Sequence, residues 1–356
     1  MWIEELTIEN YRGIAQMKLS PKPVNIFVGR NNTGKSSVLE AVVIAATSPT
    51  GYADSLNQDL LRAVLRRSRA LSYYIRVGNE KATIRIDTEA AKPLEVELLY
   101  VEKGLPEDYS TVCKNLIDKW AARTFYRREE RKENTKKIMD SPKLVIVAGN
   151  REAFPKSVEN VIIINKTIGL IRDGRILPSS LFYVGAGHGP EIVDLYNRAL
   201  QSGLLPALLQ TIHLEIPYLY DLRTVEDELF VFVEGLDKPL PVSVMGDGFI
   251  ALLRTAFATF LAKDGTLVLE EPEANLHPGF VEISTSHLVE SARKHRTQLF
   301  ISTHSTEFLD SMLEKGPDIM QVVRMYLVKG EIDYEVLSGE EALMERKELL
   351  MDLRGA

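Results

Sequence analysis

The chain has 356 residues, of which 45% are hydrophobic and 26% charged, and a formal net charge of −7, so it is an ordinary globular protein large enough for two or three lobes. Its apolar runs are strand-sized, its N-terminus lacks the basic and then apolar pattern of a signal peptide, and its single cysteine, Cys113, excludes an internal disulfide and a cysteine-rich metal site. We therefore expect a cytoplasmic protein with no membrane span, whose net charge excludes general attraction to nucleic acid and leaves room only for a local basic patch.

The N-terminal part of the sequence is predicted to be rich in strands. Alternating or wholly apolar segments bounded by Gly and Pro are typical of strands, and longer segments with an apolar period near 3.6 are typical of helices. A turn at residues 10–13 separates the first two strands. Strands are predicted at residues 2–8, 14–19, 25–28, 71–77, 82–87 and 94–102, and helices at residues 36–46 and 60–69.

Residues 108–140 have a different character, because they are highly charged and contain little Gly or Pro. One interpretation is a solvated helical hairpin stabilised by ion pairs at i,i+4 spacing. The other is a basic helix that contacts a phosphate backbone. The aromatic residues Trp120, Phe125 and Tyr126 are more typical of a core than of a stacking surface. The basic residues are Arg123, Arg127, Arg128, Arg131, Lys132, Lys136 and Lys137.

Strands alternate with helices in the C-terminal part, which predicts an α/β sheet. Strands are predicted at residues 143–148, 161–165, 181–184, 229–234, 239–244, 267–270, 298–302, 321–327 and 331–336, and helices at residues 190–202, 205–213, 249–262, 278–295, 306–314 and 339–353. We predict three regions: an N-terminal lobe at 1–105, a charged helical insertion at 106–142 and a C-terminal lobe at 143–356.

A phosphate-binding loop is predicted between the strand at 25–28 and the helix that follows. Residues 29–36 have the pattern G-x-x-x-x-G-K-S in the strand-to-helix context that this motif requires. Its glycines let backbone N–H groups surround phosphate oxygens, Lys35 can reach the β- and γ-phosphates, and the Ser36 hydroxyl can bind Mg²⁺. The predicted nucleotide-binding residues are Gly29, Asn31, Asn32, Thr33, Gly34, Lys35, Ser36 and Ser37.

Two later strands end in polar residues that suit a nucleotide site. The strand at 267–270 ends in Glu270 and Glu271, and the carboxyl ends of parallel strands face the ligand crevice of such a sheet. Glu270 can hold Mg²⁺ through a water, and Glu271 can act as general base beside the attacking water. The strand at 298–302 leads to His304, which can hydrogen-bond the γ-phosphate. A histidine at a strand end is more often structural, but its position after the acidic pair favours a functional role.

These motifs together resemble an ABC-type ATPase of the RecF/SMC/OLD (overcoming lysogenization defect) group. Residues 8–14 are similar to the "I-x-N-F/Y-R" opening of those heads, residues 29–37 to their Walker A motif, residues 270–278 to "D-E-P-E-x-x-L-H-P", and residues 303–305 to the switch "T-H-S". The resemblance covers residues 1–46 and roughly 181–313.

The resemblance implies an ABC-type P-loop head with a mixed or parallel central sheet, an N-terminal antiparallel β-subdomain and a helical insertion. It also implies Mg-dependent ATP binding and hydrolysis, a contact of Arg12 with the nucleotide, and an ATP-dependent homodimer. DNA repair or maintenance, or phage defence, is the implied process, and DNA or a separate nuclease subunit the implied partner.

The sequence departs from the family pattern at several points. Glu270 replaces the Walker B aspartate, which puts the turnover rate in doubt. The signature loop, "L-S-G-G" in the family, is identified at residues 245–248, so that Gly246, Asp247 and Gly248 would face the ATP of a second subunit through amides at a helix N-terminus. Gln58 is the candidate for a Q-loop. Few residues follow the helix after His304, and they contain no D-x-D cluster, so we expect a head without its own Toprim nuclease.

Three function classes remain open from the sequence. The first is an ATPase switch that acts on DNA ends or on a nuclease partner. The second is a nucleotide-binding regulatory subunit with little turnover, which the altered signature and Glu270 favour. The third is a small-molecule kinase or a GTPase, which the acidic pair, the T-H-S switch and the lack of an N-K-x-D motif argue against.

Overall fold

A computed structural model describes residues 2–48, 70–89, 93–156, 158–165, 169–172, 181–185 and 191–354. The strands are β1 (Ile3–Tyr11), β2 (Ile14–Leu19), β3 (Val24–Gly29), β4 (Lys81–Thr88), β5 (Leu94–Val101), β6 (Lys143–Asn150), β7 (Asn160–Asn165), β8 (Gly169–Arg172), β9 (Leu181–Val184), β10 (Leu219–Val225), β11 (Glu228–Val233), β12 (Leu240–Pro241), β13 (Thr266–Glu270), β14 (Gln298–Ser302), β15 (Met320–Val328) and β16 (Glu331–Ser338). The helices are α1 (Lys35–Thr47), α2 (Ser110–Thr124), α3 (Arg128–Asp140), α4 (Ile192–Gln201), α5 (Leu205–Glu215), α6 (Asp247–Leu261), α7 (Pro278–Lys294), α8 (Thr306–Lys315) and α9 (Gly339–Lys347).

The chain divides into two compact units. The first unit contains Met1–Pro21, Asn32–Ser179 and Leu327–Asp333, and the second contains Lys22–Asn31, Ser180–Tyr326 and Tyr334–Ala356. These boundaries differ from the predicted regions. The charged insertion is part of the first unit, and so is the segment Leu327–Asp333. Strands β6 to β8 continue the sheet of the first unit, because β6 pairs along its length with β5. Strand β3, near the N-terminus, lies in the sheet of the second unit.

The first unit is built on a seven-stranded sheet in the order β2-β1-β4-β5-β6-β7-β8, with each strand antiparallel to its neighbour. Helix α1 is buried along most of its length, as expected for its run of Val, Ile, Leu and Ala. The predicted charged insertion forms the helices α2 and α3. Tyr109, just before α2, and the apolar helix residues Cys113, Ile117 and Ile138 pack with strand residues of β6 and β7. The charged hairpin is therefore attached to the unit by its apolar base.

The second unit contains a six-stranded sheet in the order β16-β15-β3-β14-β13-β9 and a three-stranded sheet in the order β10-β11-β12. The five strands from β15 to β9 are parallel. Because this sheet carries helices, its strands are apolar throughout rather than alternating, and every residue of β3, β13 and β14 is buried. The described part of the chain contains no helix with the length and apolar content needed to cross a membrane.

Several predicted elements were wrong. Residues 71–77 were predicted as a strand but begin with a 3-10 helix at Leu71–Tyr74, whose buried residues Leu71 and Tyr74 are three apart, the period of that helix. At residues 239–244 the strand has only two residues, because Pro239 and Pro241 have no N–H for a ladder. Strands β8 and β10 were missed, and the last helix ends at Lys347. The predicted helix at 60–69 and the Q-loop candidate Gln58 lie outside the described residues.

Candidate functional site

The carboxyl ends of three neighbouring parallel strands of the second unit lie in register. Phe27 of β3 pairs with Ser302 of β14, and Ser302 pairs with Glu270 of β13. Beyond this row, the N–H of Thr303 donates to the carbonyl of Phe27 at 3.1 Å. The start of the predicted phosphate loop at Gly29–Asn31, the acidic pair and the switch histidine therefore all begin at one edge of one sheet, which is where ligands bind in parallel α/β sheets.

Glu270 is held at this edge as a buried carboxylate. Its exposed fraction is 4%, and one carboxylate oxygen accepts a hydrogen bond of 3.1 Å from the hydroxyl of Tyr183 on β9. A carboxylate buried at a strand end is costly unless a cation or several donors stabilise its charge. The predicted role of Glu270 as a ligand on the metal side of the site fits this position, and Tyr183, which sequence analysis did not select, orients it.

Glu271 has a backbone conformation that is unusual for its residue type. Its φ is +48°, in the left-handed region, and its N–H donates to the carbonyl of Ser302 at 2.9 Å. The side chain of Glu271 is 39% exposed, whereas Glu270 is buried. Oε1 of Glu271 lies 3.7 Å from Nε2 of His304, which is 34% exposed. The predicted general base and the predicted switch histidine are thus adjacent, and a nucleotide or water could reach both.

Glu273 organises the switch segment, a role that sequence analysis did not assign. Its Oε1 accepts hydrogen bonds from the Thr303 hydroxyl and from the backbone N–H groups of His304 and Ser305. Its Oε2 is buried and, within the described residues, has no hydrogen-bond partner. Burial therefore raises the pKa of Glu273 in spite of the donors around Oε1. The E-P-E motif could have drawn attention to Glu273 in the sequence. It could not have shown that Glu273 accepts hydrogen bonds from residues 303–305, which are distant in the chain.

Replacing Glu273 should separate its acceptor role from its charge. Glu273→Ala should lower the free energy of unfolding by about 2–4 kcal/mol, because Thr303 and two N–H groups lose their acceptor, whereas Glu273→Gln keeps an acceptor oxygen and should cost less than about 1 kcal/mol. Urea titrations of both variants measure this. Since the folded-state pKa is raised, wild-type stability should fall as the pH rises from the usual carboxyl range through that pKa, and E273Q should lack this fall. Equal losses of unfolding free energy in both variants would contradict the role of Glu273 as a hydrogen-bond acceptor for the switch segment.

The C-terminal segment also contacts the backbone of His304. Arg354 donates from Nη1 to the carbonyl of His304 at 3.1 Å. Asp352 binds the Arg354 guanidinium through both carboxylate oxygens, and these hydrogen bonds lower the pKa of Asp352 to about 2. Leu353 between them is fully buried in the core of the second unit. The position of His304 is therefore determined both by Glu273 and by this segment.

The predicted signature loop packs beside the acidic pair within the same subunit. Gly246 is the N-cap of α6, and Asp247 lies in the first turn. A Cβ at Gly248 would lie 2.6 Å from the carbonyl oxygen of Asn275, so only glycine permits this close approach of the two backbones. The segment after the acidic pair thus contacts the start of α6.

A cleft of about 350 Å³ lies between these segments. Its charged lining residues are Asp247, Arg254, Glu270 and Glu271. Arg254 follows Asp247 by seven residues, two helical turns, which places both on one face of α6. Among the described lining residues, three carboxylates face one guanidinium, and this excess of negative charge suits a cation better than a bare phosphate. Sequence analysis missed Arg254, although the helical period after the signature loop could have indicated it.

The remainder of the phosphate loop belongs to the first unit. Thr33 is buried, Gly34 is the N-cap of α1 with φ +95°, and Lys35, only 5% exposed, begins the helix. Ser36 and Ser37 follow in the first turn, and Asn32 has a positive φ of 65°. The first turn of α1, which is fully described, contains no acidic residue. The positive end of this helix is therefore not neutralised by its own side chains, as an anion-binding helix requires.

Arg12 is bound to the same helix. Its Nε lies 2.8 Å from Oε2 of Glu40 on α1, and its guanidinium lies over the ring of Tyr74, 4.5 Å from the centroid. The Tyr11 hydroxyl donates to the same Glu40 oxygen at 3.3 Å, and burial, together with the Glu40 charge, raises the pKa of Tyr11 well above its usual value. A nucleotide contact of Arg12, which stays a prediction, would share the guanidinium with Glu40.

Comparisons with known proteins concern the family and the fold. A Helicobacter pylori protein named ATP/GTP phosphatase is 20% identical over 364 residues, covering 94% of each chain. The DNA replication and repair protein RecF of Streptococcus thermophilus is 33% identical over 63 residues, 17% of each chain. An SMC head, solved in complex with the C-winged helix domain of ScpA, shares 14% identity with a TM-score of 0.52 and covers 96% of this chain and 100% of that one, which confirms the predicted fold class.

The family itself is shown by a match over most of the chain. Residues 24–310 fit the model of the family described as "AAA domain, putative AbiEii toxin, Type IV TA system". This stretch includes every predicted site residue except Arg12. The protein therefore belongs to this family, and its similarities to RecF and to the SMC head confirm the predicted resemblance to ABC-type ATPases of the RecF/SMC group.

Proposed function

We propose that the protein binds Mg²⁺–ATP with its phosphate loop and hydrolyses it with Glu271 as general base. The observation that carries this proposal is the row formed by Phe27, Ser302 and Glu270 at the carboxyl ends of β3, β14 and β13. Strand β3 leads into the phosphate loop, and the chain continues from Asn31 to Lys35 through the Walker A motif. The three motifs that need a common ligand therefore start from adjacent strands.

The residues divide into those that bind the phosphates and those that act on water. Lys35 and the amides of Gly29, Asn31, Asn32, Thr33 and Gly34 would bind the phosphates, with Ser37 and Arg12 as further contacts. Ser36 and Glu270 would hold Mg²⁺, which neutralises charge on the phosphate oxygens. The carboxylate of Glu270 and the hydroxyl of Ser36 are oxygen donors of the kind that Mg²⁺ prefers.

In the hydrolytic step, Glu271 accepts a proton from the attacking water. The water oxygen forms a bond to the γ-phosphorus while the bond from that phosphorus to the β–γ bridging oxygen breaks, which gives ADP and phosphate. His304, adjacent to Glu271, would donate to a γ-phosphate oxygen. Glu273 and Arg354 hold the His304 backbone, so that its ring needs little reorganisation when the nucleotide binds.

Two copies would enclose the ATP as the family resemblance implies, with Gly246, Asp247 and Gly248 of one copy facing the nucleotide of the other. ATP binding would close this dimer and hydrolysis would open it, which makes a two-state switch. The process would be DNA repair or maintenance, or phage defence, with DNA or a separate nuclease subunit as partner. The short RecF similarity supports the first alternative.

A second candidate is a regulatory subunit of a partner nuclease or other effector that binds ATP but hydrolyses it slowly. Three observations favour it: glutamate replaces the Walker B aspartate at position 270, the signature loop has no serine, and Asp247 adds a carboxylate to the cleft beside Glu271. A carboxylate near the phosphates disfavours the negative charge of the transition state.

Phosphate release from Mg²⁺–ATP, measured with and without duplex DNA, distinguishes the two candidates. Steady release over many turnovers is the expected result for the switch. Tight ATP binding with release below about one turnover per hour would favour the regulatory subunit, and a lack of ATP binding would contradict both. Light scattering of the protein with ATP, with ADP and without nucleotide tests whether ATP alone produces the dimer.

A further inference from the structure

We propose that the outer part of the α2–α3 hairpin, residues 119–137, is a binding surface for the phosphate backbone of nucleic acid. This segment, called the hairpin tip below, contains eight basic and three acidic residues, a net charge of +5 in a chain whose net charge is −7. Such a concentration of positive charge on an otherwise acidic protein provides a local site of attraction for a polyanion. The proposed surface requires neither ATP nor its hydrolysis.

The charges of α3 are arranged in rows rather than in alternating pairs. Arg128, Lys132 and Lys136 are four residues apart and all exposed, so they form one row on one face of the helix. At 1.5 Å per residue this row is about 12 Å long, which is enough to contact about three phosphates of a duplex. The neighbouring row contains Glu129 and Glu133, and Glu133 pairs with Lys137 at 2.8 Å.

This arrangement differs from that of a helix stabilised by its own ion pairs. Like charges at i,i+4 spacing each destabilise a helix by about 0.2–0.5 kcal/mol. The pairs Arg128–Lys132 and Lys132–Lys136 both carry this cost, and Ile138 is the buried residue of α3. A bound polyanion would convert the repulsion within the row into attraction. The interpretation of residues 108–140 as a hairpin stabilised by i,i+4 ion pairs therefore explains α3 less well than a phosphate contact.

Other residues of the hairpin tip have structural roles, which separates them from the proposed contacts. Arg131 is half-buried and donates from Nε to the carbonyl of Phe125 at 2.6 Å, so it closes the turn between the helices. The ring of Phe125 packs edge-on against Trp120, with centroids 5.4 Å apart. At the base, the buried Lys143 donates to the carbonyls of Gly104 and Met139, and burial lowers its pKa. The hairpin tip is thus presented on a fixed base.

The exposure of Tyr126 is a second observation, after the basic row of α3, that indicates a binding partner. It lies at the turn between α2 and α3 and is 98% exposed, although its neighbour Phe125 is packed. A fully exposed aromatic ring beside Arg127 and Arg128 has no packing role within the described residues. Aromatic rings next to basic residues are common in nucleic-acid surfaces, where they stack on bases or pack against sugars. We therefore assign Tyr126 to the contact surface together with the basic row.

The test uses the full chain without nucleotide and a fluorescent duplex of about 25 base pairs, titrated at several salt concentrations between about 50 and 200 mM. R128Q/K132Q/K136Q should bind at least about tenfold more weakly than wild type at low salt and reduce the slope of log K against log salt by about 3, since each phosphate contact contributes about 0.9. The control K238Q/K263Q/K329Q removes the same charge from exposed residues outside the hairpin tip and should leave this slope unchanged.

Further measurements identify the type of nucleic acid that binds and exclude a folding defect in the variants. Y126S should weaken binding of single-stranded DNA by about fivefold or more without changing the salt slope, since stacking contributes about 1–3 kcal/mol per base. Duplex RNA and duplex DNA of equal length distinguish the two sources of the phosphate backbone. Equal binding by wild type and the R128Q/K132Q/K136Q variant, with unchanged circular dichroism, would overturn the proposal. So would an equal loss in the control, or binding of an acidic polypeptide but of neither nucleic acid. These measurements do not depend on ATP hydrolysis, so they can fail while the proposed ATPase holds, and the reverse.

Discussion

Lys35→Ala should weaken the binding of Mg²⁺–ATP by about 2 kcal/mol or more, at least about thirtyfold in Kd. Lys35 is 5% exposed at the start of α1, so its ammonium is largely removed from water before any ligand arrives. A charge in such a position interacts strongly with a triphosphate, because little solvent screens the attraction. Alanine at this position keeps the helix, since it is the best helix former, and removes the ammonium group.

Calorimetry with a non-hydrolysable ATP analogue measures this loss directly. Lys22→Ala is the matched control, because Lys22 lies just before β3, at the opposite end of the strand that leads into the phosphate loop, and its side chain is exposed. It should bind the analogue like wild type. Thermal unfolding without nucleotide should give similar midpoints for all three proteins. Wild-type affinity in K35A would show that the G-x-x-x-x-G-K-S segment is not the phosphate site.

The sequence predicted those elements whose residues all have the same surroundings, such as strands that are buried on both faces. Strands β3, β13 and β14 are buried on both faces, so their sequences are continuously apolar and could be located within a residue or two. Segments whose structure depends on distant partners were not predictable. Leu71–Tyr74 forms a 3-10 helix, and its Tyr74 packs against Arg12, which lies more than sixty residues earlier in the sequence. The assignment of β3 to the second unit is likewise a property of the sheet and not of the segment.

The candidate site shows the same division. Lys35, Glu271 and His304 stood out because their motifs have fixed residue types at fixed spacing. Tyr183 and Glu273 contact residues of the site from other elements, and Arg254 lines its cleft. The E-P-E motif and the helical period mark the positions of Glu273 and Arg254, but neither pattern predicts which residues their side chains meet. Sequence motifs thus locate the groups that meet the ligand, whereas the groups that orient them emerge only from the structure.

Glu271→Gln should lower the rate of phosphate release by about a hundredfold to ten-thousandfold, the range that a general base contributes, while ATP affinity stays within about threefold of wild type. Glutamine has nearly the same shape and can retain the backbone conformation at φ +48°, but its amide does not accept a proton from water. If hydrolysis opens an ATP-bound dimer, the variant should remain dimeric in ATP for hours, whereas wild type returns to monomers as ATP is consumed.

Phosphate release and light scattering on the same samples measure both effects. Glu226→Gln is the matched control, because Glu226 also has a positive φ of 56° but lies exposed in the turn between β10 and β11, outside the site. It should hydrolyse ATP like wild type, which separates the loss of the base from any effect of glutamine in a left-handed conformation. Wild-type turnover in E271Q would remove Glu271 from the role of base. The carboxylate of Asp247 in the same cleft would then become the next group to test, since within the described lining residues it is the other acidic side chain besides Glu270 that could take the proton.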